Sequence, residues 1–573
     1  MPLRLVARGL RPITATAALT ATAAVLAGCG SSPSTGTSAD PASAVPAAAP
    51  LFAGATVRPG GSAKAAALTA GQTLTSTSDP YMRLLAVLQT PGSPALNYEQ
   101  DVAPWLGPQA GIFLSSLGGS GQLASLLEQG LLGGSSSTVT SFPFGAGGAQ
   151  GAIVLDTTDA AKASAFLDRQ AQHAGAHANS YRGVSYQSTA GGIAFGLVDR
   201  FAVIGSDSAI HAVIDTTLGG APLSRASNYS TLLAAAPQGA LAHVFSDGQP
   251  AKPAASQQGL SALLALLAGA HATNVSLVPS ASSIALDADT LAGSGESGAR
   301  STAGGLLSSG SEGAQALGEL PGDSWLAVGL GHVGSTLGED VAGLRELASL
   351  GSAGPTAGAA GLSVSGLIGG LLTPLNVLAA NSTQARSDYA SWMGSGGIFA
   401  SGASLLELKA AVVIASTNPA ASRAAVAKLA AQLRAGGGSV QSVSISGTEA
   451  AVGVRLSGLP VVLDIAAGRD SGGQAKFVLG LGEASVAAAL NPTSLFSASA
   501  AYQAAATALG EGIHPSLSLE FPTLLSMLEG IGLSEDPTIS KFVPYLHNVT
   551  TLAGGGRGLT GGVQRFRLVL GLR

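Results

Sequence analysis

Much of this chain is written twice. DVAPWLGPQAGIFLSS, Asp101 to Ser116, is answered by DYASWMGSGGIFASG, Asp388 to Gly402, so that Trp105 matches Trp392, Gly107 matches Gly394, and Ile112-Phe113 matches Ile398-Phe399. Each time a β-type run, a cap and a helix follow: GAIVLDTTDAAKASAFLDRQ in the first, AAVVIASTNPAASRAAVAKLAAQL in the second. Thr158-Asp159 can cap the first helix, and Asn418, with Pro419 at the first helical position, can start the second. Ala163, Phe166, Leu167, Ala171 and Ala174 then share one helix face, as do Val426, Leu429 and Leu433. Further on, FAVIGSDSAIHAVID from Phe201 to Asp215 aligns without a gap with FVLGLGEASVAAALN from Phe477 to Asn491, setting Asp207 on Glu483 and Ile210 on Val486. This points to two homologous α+β domains over residues 51–290 and 320–573, with a Gly/Ser-rich joint at 291–319.

Within each copy the short runs YRGVSYQST, GGIAFGLV and DRFAVIGS follow one another at hairpin spacing, with Gly and Asp at the turns. Strict alternation of strand and helix is missing, which disfavours a parallel, doubly wound sheet. The expected fold is α+β: per copy, a curved, mainly antiparallel sheet with helices on one face. Arg565 and Arg567 alternate with apolar residues on the last strand and are expected on its solvent side.

The N-terminus carries the second strong signal. Arg4, Arg8 and Arg11 precede an uncharged apolar run from Pro12 to Val25, and the sequence LAGC ends at Cys29. A basic start, a short apolar segment and small residues at the cut mark an export leader of residues 1–28. The four residues LAGC resemble the bacterial lipobox. That resemblance implies cleavage between Gly28 and Cys29 and diacylation of the Cys29 thiol. Cys29 is the only cysteine of the 573 residues, so no disulfide or cysteine metal site can form, and stability must come from core burial. Two acyl chains suffice for stable attachment. Loss of the leader removes three arginines and takes the formal charge from −5 to −8. Such a body gains nothing from anionic lipid, and a basic nucleic-acid binder is excluded. Residues 29–50 are small, polar and Pro-rich; they are expected to form a flexible tether spanning about 25 Å.

No second membrane span is expected. The uncharged stretch from Leu347 to Ala385 is interrupted by Gly369, Gly370 and Pro374, and a crossing there would separate the two copies. Leu260 to Ala270 is too short to cross and reads as a core helix.

The DVAPWLG, GIF and IVLD segments, the helix after them and the run from Tyr181 to Asp215 resemble an uncharacterised bacterial envelope family catalogued as domain of unknown function 3352. The resemblance implies the fold and an envelope location, and carries no activity.

The chemistry-bearing motifs are sparse. GLGHVG, Gly329 to Gly334, matches a dinucleotide fingerprint in letters, but no parallel partner strand is evident and acids follow too early, at Glu339, Asp340 and Glu346. His173 and His177 have the i, i+4 spacing of a metal pair on a helix, yet Gly175 intervenes and no third ligand joins them. The remaining histidines, His211, His243, His271, His332, His514 and His547, stand singly. Asp156, Asp199, Asp207 and Asp215 fall at strand ends and helix starts, where turn and cap duty explains them. No nucleophile elbow, zinc-protease motif or P-loop is present. The expectation is therefore a lipid-anchored protein on the outer face of the cytoplasmic membrane with no catalytic, cofactor or metal residues. Its partners would be the membrane, through the anchor, and an unidentified protein or lipid, with no nucleic acid. The alternative is a carrier of lipid or another hydrophobic ligand; a hydrolase built from distant residues is less favoured.

Overall fold

The computed structural model describes residues 38–75, 95–116, 144, 150–247, 272–291, 310–335, 388–404, 406–455, 461–530 and 546–573. The leader, Gly28, Cys29, the stretches 118–143 and 145–148, the core-helix segment 260–270 and the apolar stretch 347–385 lie outside the described residues. Among the described residues no helix is long and apolar enough to cross a membrane. The chain divides into two compact units. The N-terminal unit comprises the described residues up to Ser297 together with Leu559–Arg565; the C-terminal unit comprises Gly298–Gly558 together with Phe566–Arg573.

In the N-terminal unit the strands are β1 (Leu51–Thr56), β2 (Leu106–Leu114), β3 (Gly151–Thr157), β4 (His177–Tyr181), β5 (Val184–Ser188), β6 (Ile193–Val198), β7 (Phe201–Ser206), β8 (Ala242–Asp247), β9 (Ala272–Pro279) and β10 (Ser283–Leu291). They pair antiparallel in the order β4-β5-β6-β7-β3-β2-β1-β8-β9-β10. Helices α1 (Gly61–Thr75), α2 (Ala160–His173), α3 (Asp207–Thr217) and α4 (Ser227–Ala235) complete the described part.

The C-terminal unit has helix α5 (Gly310–Gly318), strands β11 (Ser324–Leu330), β12 (Met393–Ser401) and β13 (Lys409–Ser416), helix α6 (Pro419–Ala435), and strands β14 (Ser439–Ser442), β15 (Thr448–Arg455), β16 (Leu463–Arg469) and β17 (Ala475–Leu481). Then come α7 (Glu483–Leu490), α8 (Ala500–Leu509), β18 (His514–Glu520), α9 (Phe521–Gly530), β19 (Val549–Gly558) and β20 (Val563–Leu572). The order is β14-β15-β16-β17-β13-β12-β11-β18-β19-β20, the same path as in the first unit.

Local contacts repeat as well. Trp105 Nε1 donates to the Asp101 carbonyl at 2.6 Å, and Trp392 Nε1 to the Asp388 carbonyl at 2.8 Å. Each tryptophan carbonyl accepts the backbone N–H of a threonine beyond the neighbouring strand, Thr158 at 2.8 Å and Thr417 at 2.9 Å. Both indoles are buried, one against Phe166 and the other against Phe477. The caps are as expected: the Asp159 carboxylate accepts from Lys162 N, and the Asn418 side chain from Ala421 N.

Several expectations are corrected. Helices cover both sheet faces rather than one. On one face of the first unit, α2 packs Ala163, Phe166, Leu167 and Ala171 against Ile153, Leu155 and Ile204. On the other, α3 packs Ile210, Val213 and Ile214 against Ala152, Val154 and Val203. The same division holds for α6 and α7 in the second unit. Strands such as Gly151–Thr157 are buried at every position, as two-sided coverage requires.

The expected tether ends sooner than residue 50. Ala42, Ala44 and Val45 are fully buried in the core, because a short 3₁₀ turn (Pro41–Ser43) capped by Asp40 lays this run on the sheet. Leu223 N donates to Val45 O at 2.8 Å, as Phe496 N donates to Leu320 O at 2.7 Å, so the first unit starts before Leu51. Likewise Gly310–Gly318 of the expected joint is helix. YRGVSYQST is a hairpin rather than one strand, since Arg182 and Gly183 take positive φ of 48° and 85° and turn the chain. Finally, pairing with β3 and β13 sets Phe201 opposite Asp156 but Lys476 opposite Ala415. The gapless alignment is thus off by one residue along β7 and β17. A one-residue slip reverses the face, and Phe201 indeed joins the α3 side whereas Phe477 joins the α6 side. Gly482, at φ 79°, absorbs the extra residue before α7.

Candidate functional site

An open groove of about 690 Å³ lies in the C-terminal unit. Glu312 and Gln315 of α5 face it, with His332 beyond the end of β11, Ser395 of β12, Thr417 after β13 and Gln474 of the β16–β17 turn. His332 holds a positive φ of 50°, and its Nδ1 stands 3.2 Å from Glu312 Oε2. The carboxylate is half exposed, at 51 %. Gly394 leaves the base of the groove open, where a Cβ would stand 3.2 Å from Ala415 O. The groove is neither enclosed nor wholly apolar, the form an acyl-chain carrier would need.

The corresponding place in the N-terminal unit is filled. The register that sets Asp156 in the position of Ala415 also sets Arg200 in that of Ala475. Asp156 is fully buried and accepts from Arg200 Nε at 3.0 Å and Nη2 at 2.6 Å; its other oxygen accepts from Ala39 N at 3.3 Å. Burial pushes the Asp156 carboxyl up, against the pull of the Arg200 guanidinium. Its expected turn-and-cap duty is corrected: it is half of a plug.

The other predicted positions separate. GLGHVG runs out of an antiparallel strand, and its glycines serve close packing: a Cβ on Gly329 would stand 1.9 Å from Gly313 O, and one on Gly334 2.3 Å from Ala390 O. His173 ends α2 while His177 opens β4, so they share no helix face. No cluster of three metal-ligating side chains occurs among the described residues. Asp199 sits in the β6–β7 turn at φ 53°. Asp207 begins α3 beside His211, whose Nε2 lies 2.8 Å from the Tyr186 hydroxyl, while the Tyr181 ring stacks on the imidazole at 3.9 Å. Asp215 lies in the last turn of α3; Arg182 at 2.6 Å, aided by the Tyr181 hydroxyl at 3.3 Å, holds its carboxyl low. Burial pushes the Tyr186 hydroxyl up to about 12.

Several buried ionisable groups escaped the sequence, among them Lys476, which stands 3.1 Å from Glu319 and 3.2 Å from Asp470. Arg565, expected on the solvent side, is 4 % exposed. It donates from Nε and Nη2 to Asp289 at 2.7 and 2.8 Å, from Nη2 to Ala235 O at 2.5 Å, and stands 3.3 Å from Asp287. Arg567 keeps a partly exposed place and donates to Leu509 O at 3.1 Å. His243 is partly buried beside Phe52, 3.1 Å from the Tyr229 hydroxyl, and loss of solvent around the imidazole lowers it to about 4. Asp464 on β16 is buried between Gly453 and Gly480 of the adjacent strands, with neither carboxylate oxygen hydrogen-bonded. Burial, with the charge of Glu483, raises it to about 6. Alternation placed Arg565 outward because it assumed one exposed sheet face; no local signal marked the two acids that bury it.

Residues 13–512 match the family model described as "Protein of unknown function (DUF3352)". No curated protein matches the chain significantly. A solved structure titled "Structure of crystal form I of TP0453" is similar at 9 % identity over 46 % of this chain and 82 % of that one, with a TM-score of 0.25.

Proposed function

The chain belongs to the DUF3352 family, whose function is unknown, and on that premise we propose that it is a lipid-anchored protein of the bacterial cell envelope. The export leader is cleaved between Gly28 and Cys29, and acyl chains on Cys29 hold the body at the outer face of the cytoplasmic membrane. The body binds or scaffolds a partner there and performs no catalysis of its own. The observation that carries this reading is the placement of the chain's single cysteine at the end of LAGC, directly after a basic and then apolar leader.

The two units are copies of one ancestral domain; their shared strand order and the repeated contacts of Trp105 and Trp392 support this. Their cores are filled by side chains on both sheet faces, which favours a surface-binding role over storage of a lipid inside.

The test is Cys29→Ala in the native host. Metabolic palmitate label should vanish from the protein, and the protein should leave the membrane fraction. Retention of the variant in membranes would overturn the anchor.

A further inference from the structure

Resting on the reading of a binding protein, we propose that the groove of the C-terminal unit receives an arginine side chain from a partner polypeptide. The N-terminal unit supplies the argument, because there the chain puts its own guanidinium in the corresponding place. Arg200 makes two hydrogen bonds to the buried Asp156, and Asp156 lies so close to Gly107 that a Cβ there would stand 2.4 Å from its carboxylate. In the C-terminal unit the matching glycine, Gly394, remains, but Ala415 and Ala475 replace the acid and the arginine. Both large side chains are absent there, Lys476 stands where the first unit has Phe201 and turns its ammonium to Glu319 and Asp470, and Ala415 lines the groove.

What remains around that space is complementary to a planar cation. The lining contains a carboxylate, Glu312, and the oxygens of Gln315, Ser335, Ser395, Thr417 and Gln474, with no lysine or arginine. A guanidinium offers five donors in a fixed fork and suits a site rich in acceptors. The anionic charge moves from Asp156, deep in one unit, to the mouth of the groove in the other. At that mouth Glu312 can meet a side chain arriving from solution, competing with the His332 imidazole for the carboxylate. The volume is in the range of side-chain and small-ligand sites.

The probe is N-acetyl-arginine amide, with its neutral isostere N-acetyl-citrulline amide as control, added to the full chain in detergent micelles. The chain has four methionines, and Met393 lines the groove. In a protein labelled at the methionine methyl carbons, the Met393 signal, assigned by Met393→Leu, should shift with a millimolar midpoint while that of Met527 stays still. The citrulline compound should leave it in place. Glu312→Gln should weaken the response about threefold, the size expected for a half-exposed charge pair, and added salt should weaken it further. A Met393 signal that ignores the arginine probe, or that follows citrulline equally, overturns the proposal. Cys29→Ala protein should respond like the wild type. A lost response with normal membrane release would therefore fault the groove alone, and a normal response with persistent membrane retention would fault the anchor alone.

Discussion

The two units follow one path through ten strands, yet they differ wherever an ionisable group is buried. The N-terminal unit buries Asp156 with Arg200, and Asp287 and Asp289 with Arg565. At the places of Asp156 and Arg200 the C-terminal unit has Ala415 and Ala475, and it buries Asp464 where pairing puts Ala194 in its counterpart. The shared features are those that build a sheet and its two helix layers: tryptophan anchors, helix caps and apolar strand residues. The divergent ones are polar groups inserted into that frame. Two units with one strand order can thus share their packing and still differ in internal electrostatics.

The strongest test of likeness is truncation of the anchors. Trp105→Ala and Trp392→Ala should each cost about 3–5 kcal/mol in urea unfolding, because each indole is buried and fixed by the same backbone bond. A cost confined to one of them would break the equivalence. Arg565→Met should separate the units: it takes the guanidinium away from Asp287 and Asp289, a loss of about 3–5 kcal/mol that falls on the N-terminal unit. Limited proteolysis or hydrogen exchange should show that unit opening first. Equal opening of both would contradict the assignment of Arg565 to the N-terminal core.

The pH dependence should sharpen the contrast at smaller amplitude. His243 holds its proton more weakly in the fold than in the unfolded chain, so its contribution to the N-terminal unit is present at neutral pH and lost as the pH falls from about 6.5 to about 4. Asp464 holds its proton more tightly in the fold, so its cost to the C-terminal unit appears as the pH rises from about 4 to about 6. Each is worth up to about 3 kcal/mol. Asp464→Ala, which copies Ala194, should flatten the C-terminal profile and raise its neutral-pH stability; His243→Gln should flatten the N-terminal one. Unfolding profiles that keep their slopes in these variants would refute the burial assigned to the two groups.

The sequence was most legible where local chemistry and tertiary structure agree. Asp159 and Asn418 announce helix starts by side-chain type and position, and the repeated Trp, Gly and Ile-Phe spacing locates equivalent strands. It misled where composition imitated a linker: Ala42, Ala44 and Val45 lie in a Pro- and Ala-rich run, and only the neighbouring sheet makes them core. It misled again at Phe201 and Phe477, since letters can match while a one-residue offset reverses the face. The groove was the least legible, because Glu312 and Gln315, Ser395, Thr417 and Gln474 come from four separate segments, and at Ala415 a small side chain stands where the first unit has Asp156.

Leu559–Arg565, near the very end of the chain, belongs to the unit that is made first. Synthesis delivers the strand that carries Asp287 and Asp289 long before the Arg565 guanidinium, which comes 276 residues after Asp289. Until then the two buried carboxylates lack that guanidinium. The early half therefore waits, incompletely closed, for Arg565 to emerge, and a chain terminated before it is left with its defect in the half already made. That arrangement would let proteases distinguish finished molecules from broken ones by their first unit.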